Sequence, residues 1–598
     1  MAVLRTIPTS ANPDLLTFTI KIDGEEISRE YHVHHISVQK EINKVPTAKI
    51  KIHDGNPSLE TFLISDGEDF IPGKHIEISL GYHSQEKTVF KGLIIKHSNN
   101  ISNSSLELIV ECKDAAVKMT IGRKSKHYND VSDSDVAEEL IGHYEGINAD
   151  VESSAVLHKD LVQFDTTDWD FMVSRMDSIG CICLVSDGVI TVKKPVPDSP
   201  AKLDVLFGAT ILDYRGSIDA RDQFKTVQST AWNFTNQEIA EADAMEPIWD
   251  EGGNVSNTDL AEVIGLEKYK MIYSGKLTQQ ELQAWADARL MKNRLSKIRG
   301  MVKFQGYSGL LPGDFISLNG IGARLNGKAI VAAIHHECTD GLWTTEVQFG
   351  LPPEWFAEKL EVNHAVSQKG IIPSLQGLQI GIVNSIVDPD GEDRVQVKLP
   401  VISNGEEGIW ARLATMDAGN GRGTFFRPEE GDEVIVGCIN NDPSHLVILG
   451  MLNSSAKPAA LQASESNPEK GYVSREGIKM IFNDEEKSFT IETPNGKKIT
   501  MNDQEGLIQI EDENGNKIKM ESSGVSIESA SALKLKAATD FTLEAVNITL
   551  SPSANFSLAA SGGAALKLGS GSASLKAPTA KIEGSGMTEI KGGLVKIN

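Results

Sequence analysis

Histidine stands in two short runs, His32-Val-His34-His35 and His335-His336. In an extended chain His32 and His34 share one face, a spacing at which two imidazoles can seat a transition metal. No Cys or carboxylate in the run completes a ligand set, so a surface strand is the expectation there. His335-His336 closes the apolar run "AIVAAI" and reads as a strand end. The five cysteines (Cys112, Cys181, Cys183, Cys338, Cys438) are few and odd in number, which argues against a disulfide framework and fits a reducing compartment. Cys181-x-Cys183 lacks the C-x-x-C spacing of zinc and thioredoxin sites, and its alternation with Ile182 predicts buried thiols on a strand. "GIGARLNG" and "GNGRG" are glycine loops outside any strand-to-helix setting, hence turns. G-x-S-x-G, H-E-x-x-H and G-x-x-x-x-G-K-[ST] do not occur. No catalytic, cofactor-binding or metal-binding residue is assigned, no cofactor is expected, and the expected role is not enzymatic.

The chain has 598 residues, 40% hydrophobic and 24% charged, which suits several globular domains. Its net charge of −25 speaks against nucleic acid, which selects a basic footprint. "MAVLRTIPTSANPDL" has no apolar h-region, so no signal peptide is expected, and no apolar stretch is long enough to span a bilayer.

Period-two runs such as "TFTIKI", "AKIKIHD", "IEISLGY" and "LELIVEC" predict strands over residues 1–365, interrupted by three helices with start signals. Ser132-Asp-Ser-Asp135 resembles a capping box before Val136, Leu140, Ile141 and Tyr144. Thr167-Asp-Trp-Asp170 opens a helix with Met172, Val173, Met176 and Ile179 inward, and Gly180 ends it. Thr278-Gln-Gln-Glu281 is a capping box before Leu282, Trp285, Ala286 and Leu290. This is an α+β head, 1–365. A linker (366–377) leads to 378–455, where short strands separated by "DPDGED", "SNGEEG", "AGNGRG", "PEEGD" and "NNDPS" predict a closed OB-type barrel. A second polar linker covers 456–470.

From 471 onward, apolar–x–apolar triples repeat: Phe489/Ile491, Ile499/Met501, Ile508/Ile510, Ile518/Met520, Val525/Ile527, Leu533/Leu535, Phe541/Leu543, Ile548/Leu550, Phe556/Leu558, Leu566/Leu568, and on through Leu575, Ile582 and Ile590 to Leu594, Val595 and Ile597. Residues i and i+2 of a strand share a face, so each triple points two side chains one way. The second apolar residues are 9 or 10 apart up to Met520 and mostly 7 or 8 apart beyond it. Asn-Gly in "PNGK" and "ENGN" favours hairpins in the upper part. Further on, that signal fades and winding in one direction is expected. Two apolar residues per short strand make a thin core, which three strands could close: three successive strands of one chain, a β-helix of about 24 residues per coil, or one strand from each of three chains. Periodicity leaves both open. The repeat contains neither His nor Cys, so a metal-bearing tip is not expected.

The barrel stretch "GIVNSIVDPDGEDRVQVKLP" with "WARLATMDAGNGRGTFFRPEEGDEVIVGCINNDPSHLVILG" resembles the VgrG family, trimeric spikes of type VI secretion and related contractile injection systems. Asp388, Pro389, Arg394, Trp410, Arg412, Pro428, Glu429, Gly431 and Asp432 carry the match. In the head, "TTDWDFMVSRMDSIGCICLVSDGVITV" and "LLPGDFISLNG" are similar to further family segments. The resemblance implies a mainly β fold: a phage-hub-like α+β head of two barrel subdomains, an OB barrel, and an intertwined trimeric β-helix needle over 471–598. It implies a homotrimer docked on a hexameric tube and baseplate proteins, carrying effector cargo and a PAAR-type tip protein on Leu594, Val595, Ile597 and Asn598. It places the assembly in the bacterial cytoplasm before firing, then outside or in the target cell, with transient contact at the target membrane. No lysozyme-like domain stands between barrel and needle, and none is expected. A β-fibre adhesin or a phage-tail spike binding a surface ligand is the alternative.

Overall fold

The computed structural model describes residues 15–598 except 104, 234–237, 249–250, 274–276, 360–374, 401–406, 559–573, 575 and 598, and excepting the Trp232 side chain. The chain forms two compact units, Met1–Ala459 and Ala460–Asn598.

In the first unit, the alternating segments of the head make a 13-stranded sheet. The strand Val33–Glu41 pairs antiparallel with Gly327–Thr339, from Ala333↔Glu41 to Thr339↔His35. This seam joins two strand clusters with separate cores. One holds Ile20, Ile36, Ile50, Ile78, Phe90 and Val110. The other holds Val205, Phe304, Ile316, Val347 and Phe349. Strict alternation explains the burial, as in His75–Tyr82, where Ile76, Ile78 and Leu80 all turn inward.

A helical layer with its own core lies between these clusters in sequence. All three expected helices form: Asp133–Gly142, Asp168–Ser178 and Gln279–Leu295. Ser132 and Thr278 close capping boxes, and Gly180 takes the left-handed φ of +83° that ends the second helix. A fourth helix, Asn257–Ile264, was not expected, although Ser256 and Asp259 form a capping box of the same kind.

Five strands, Leu378–Ser385, Arg394–Lys398, Ile409–Leu413, Glu433–Cys438 and Leu446–Met451, form the expected closed barrel. Val383, Val395, Val397, Ala411, Val434, Val436 and Ile448 fill it, joined by Val162 from the head. In the second unit, seven strands from Glu469 to Glu528 form an antiparallel meander. No helix among the described residues is long and apolar enough to cross a membrane.

Candidate functional site: an uncovered apolar ladder

The residues that could do chemistry are engaged structurally. His34 stacks on His53 at 4.3 Å and lies 3.4 Å from Glu107, a carboxylate brought in by another strand. His35 contacts the Thr339 hydroxyl at 2.9 Å. His335 and His336 lie inside the strand Gly327–Thr339, not at its end, because the apolar run continues as alternating burial through Cys338. Burial pushes His336 down to about 3, and its Nδ1 meets the Thr345 hydroxyl at 3.0 Å. Cys181 and Cys183 are buried at and beside the strand Ile182–Ser186, and desolvation pushes Cys181 up to about 12, far from a thiolate nucleophile. A head cleft of about 240 Å³ is floored by Ile42, Met291, Leu295, Leu351 and Phe356. Its buried Lys292 is neutralised by both carboxylate oxygens of Asp177 at 2.7 Å.

In the barrel, the family-type residues are turn builders. Asp388 accepts from the backbone N–H groups of Asp390, Glu392 and Arg394, and from Arg394 Nε (2.8 Å) and Nη2 (2.9 Å). These bonds, the guanidinium's first, hold Asp388 well below the usual carboxylate range. Pro389 belongs to this loop, and Gly391 completes its turn at φ +68°. The Arg394 guanidinium lies 5.7 Å over the Trp410 ring, and Arg394 is registered opposite Arg412. Pro428, Glu429, Gly431 and Asp432 make a second turn, tied to the first strand of the barrel by Gly431 N–H to Val383 O (2.8 Å) and Val383 N–H to Asp432 O (2.9 Å). Arg427 to Asp393 at 2.5 Å links the two loops.

The feature without an internal partner is in the meander. Register sets two apolar columns on one face. One runs Phe482, Phe489, Met501, Ile508, Met520, Val525; the other runs Met480, Ile491, Ile499, Ile510, Ile518, Ile527. The opposite face carries Thr490, Thr500, Gln509, Lys519 and Ser526. Burial is inverted from that of a lone sheet: Met501, Ile510 and Met520 are 45–48% exposed, while Thr490, Thr500, Gln509 and Lys519 are less so. Such a contiguous apolar surface marks an interface.

The polar face holds a pattern that the triples did not reveal. Lys479, Glu492, Lys498, Glu511, Lys517 and Glu528 stand opposite one another in turn, alternating in sign across the five strand pairs from Lys479–Asn483 to Gly524–Glu528. Its source is a repeat of 19 residues, visible in the sequence at Lys479, Lys498 and Lys517 and at Gly477, Gly496 and Gly515. The glycines close the wider turns at φ +82°, +84° and +86°. Following only the apolar residues splits this unit into steps of nine and ten and conceals it.

The expected hairpins at "PNGK" and "ENGN" form. Reversal persists one strand further than the spacing predicts: between Glu521 and Gly524 two residues suffice, because Gly524 adopts φ +133°. After Glu528, no strand forms among the described residues. Leu533, Leu535, Phe541, Leu543, Ile548, Leu550, Phe556, Leu558, Ile582 and Ile590 are each more than half exposed, as are Leu594 (77%) and Ile597 (85%), with Val595 at 45%. Leu566, Leu568, Leu575 and Asn598 lie outside the described residues.

Family models match in three blocks. Residues 379–452 match the type VI secretion system/phage-baseplate injector OB domain, and residues 488–598 the phage baseplate V C-terminal trimerisation domain. An injector barrel followed by a trimerisation domain defines a VgrG-like spike. The third model, the Alg8 N-terminal domain, matches residues 12–340, more than half of the chain, so the chain belongs to that family. A search of curated proteins gives no match. Among solved structures, the Francisella PdpA-VgrG complex (half-lidded) aligns at 9% identity and TM-score 0.49, covering 86% of this chain and 87% of that one. The E. coli c3393 protein, a component of the type VI secretion system, aligns at 12% and 0.43, covering 72% and 99%. The 43 kDa tail protein of prophage MuSo2 from Shewanella oneidensis aligns at 11% and 0.43, covering 56% and 99%. The assignment rests on the family models, and these likenesses carry none of it.

Proposed function

We propose that three copies of this chain assemble through the ladder into the spike of a contractile injection apparatus. The observation that carries this is the double apolar column, uncovered in one chain and lying largely inside the span matched by a trimerisation domain. Three meanders set as the faces of a triangular prism turn their columns inward and leave the Lys/Glu faces in water.

Past Glu528 a period of seven or eight leaves only two or three residues between five-residue strands. Among the described residues no strand there pairs within the chain, so in this reading the strands pair with the other copies, and Leu533, Leu535, Phe541, Leu543 and their successors point to the shared axis. The working parts are a head (1–365), a barrel (378–455) and a needle (471–598). The head meets a hexameric tube and baseplate proteins. The end of the needle, at Leu594, Val595, Ile597 and Asn598, receives a PAAR-type tip protein, and effectors travel with the spike. Its role is mechanical, not catalytic: assembled in the bacterial cytoplasm, then driven out through a target membrane.

Sedimentation of the full chain should give about three times the monomer mass of 64.8 kDa. Replacing both Leu535 and Leu543 with Asp should abolish the trimer while leaving the head folded by circular dichroism. A stable wild-type monomer, or an unaffected double variant, contradicts the proposal.

A further inference from the structure

Four elements of the head converge on one buried side chain that no part of the spike reading uses. His158, on the strand Leu157–Thr166, is 7% exposed. Its Nε2 lies 2.8 Å from Asp133 Oδ2, at the start of the helix Asp133–Gly142. Its Nδ1 lies 3.0 Å from Glu281 Oε1, in the first turn of the helix Gln279–Leu295. Arg175, from the helix Asp168–Ser178, donates Nε to Asp133 Oδ1 at 2.9 Å and places Nη2 3.1 Å from His158 Nε2. Asp133 and Arg175 are 0% and 4% exposed.

The same strand carries the joint to the barrel. Lys159 pairs with Asp390 at 2.6 Å, and Val162 inserts into the barrel core. A cavity of about 60 Å³ is lined by His158, Arg175 and Glu281 from the head, and by Asp442, Ser444 and His445 from the barrel. Two carboxylate–imidazole pairs adjoin it. Asp160 is paired with His127 of the neighbouring strand at 3.0 Å, and Asp442 with His445 at 3.2 Å; His445 also meets the Tyr273 hydroxyl at 3.0 Å.

We propose that His158 is a proton-operated latch at the joint between head and barrel. With the ring protonated, both nitrogens donate, Nδ1–H to Glu281 and Nε2–H to Asp133, so one imidazolium ties the N-termini of two helices. The ring then meets both Asp133 and Glu281, and Arg175 meets Asp133 as well. When the ring loses the Nε2 proton, Nδ1–H still donates to Glu281, while Nε2 accepts from Arg175 Nη2. The Asp133 bond is lost and the buried cluster gives up one positive charge beside Asp133 and Glu281, which a low-dielectric interior penalises. Because Nε2 has a partner in both states, the change is reversible, and its effect falls on the strand that holds the barrel.

Burial alone would push His158 down, but its hydrogen bonds to Asp133 and Glu281 outweigh that and raise it. A raised histidine contributes stability that is complete below its unfolded value, about 6.5, and lost as pH rises through the folded one. On the acid side, Asp133 sets the limit: burial pushes it up, yet Arg175 and His158 hold it at about 2.

The test uses the full chain. Histidine C2-hydrogen exchange by mass spectrometry, from about pH 5 to about pH 9, reads the titration of His158 directly. Amide exchange reads peptides spanning 157–166 and 439–446. His158 should titrate above about 6.5. Protection of both segments should fall about tenfold as pH rises through that titration. His158→Gln should flatten this step, while His127→Gln and His445→Gln keep it. Titration of His158 at or below its unfolded value, or a step that survives His158→Gln, overturns the proposal. If His158→Gln does not fold, the wild-type titration decides alone.

Discussion

Asp388 shows how a single side chain closes a turn, since it receives three backbone N–H groups and a guanidinium at once. Asp388→Asn keeps the shape and removes the charge. Arg394 then keeps only Asp390 (2.7 Å) and Glu392 (3.8 Å) as counter-ions, so barrel stability should fall by about 1.5 kcal/mol, seen as lost amide protection over 378–452. Its depressed pKa gives the sign with pH. The contribution is present above about pH 3.9 and is lost as pH falls, so the same peptides should lose protection in acid in the wild type and change less in the variant. Asp388 and Arg394 came into view through the motif resemblance, and their pairing spans only six residues. His158 did not: its partners stand at 133, 175 and 281, and only the packing of three helices brings them together.

At the scale of elements, local chemistry was the better guide. Ser132, Thr167 and Thr278 each cap the helix that their spacing announced. Ser256 announced one as plainly, but Leu260, Ala261, Val263 and Ile264 make too short an apolar stripe to be noticed. In the meander the triples located the columns, while the charge ladder went unseen because it lies on the other face and repeats over two strands rather than one. Opposed charges in a strand pair contribute roughly 0.2–1 kcal/mol, and like charges oppose by a similar amount. Lys498→Glu sets glutamates at 492, 498 and 511 side by side. It should lower the thermal midpoint of the full chain modestly at low salt, and added salt should narrow the difference.

For the whole molecule, the order of parts was legible from composition and turn spacing, but the joining of the head was not. The seam between Val33–Glu41 and Gly327–Thr339 brings Ser37 to His335 across 298 positions, and alternation cannot specify which of many alternating strands become neighbours. Nor could period alone choose between one chain and three. The trimerisation-domain match over residues 488–598 is the finding that bears on that choice. If the three-chain assembly is held by apolar columns, its mass by sedimentation should be unchanged between about 0.05 and about 0.5 M salt, where surface ion pairs are progressively screened.

The alternating lysines and glutamates also shape the field that the meander presents to its surroundings. Neighbouring strands lie about 4.8 Å apart, so the sign of the charge repeats about every 9.6 Å along the stack. The potential of such a striped row dies away within about 1.5 Å, far inside the Debye length of about 8 Å. The chain as a whole carries −25, yet this face presents almost no field to a passing lipid headgroup or sugar of either sign. Charge keeps this face wet while giving it little pull on charges of either sign.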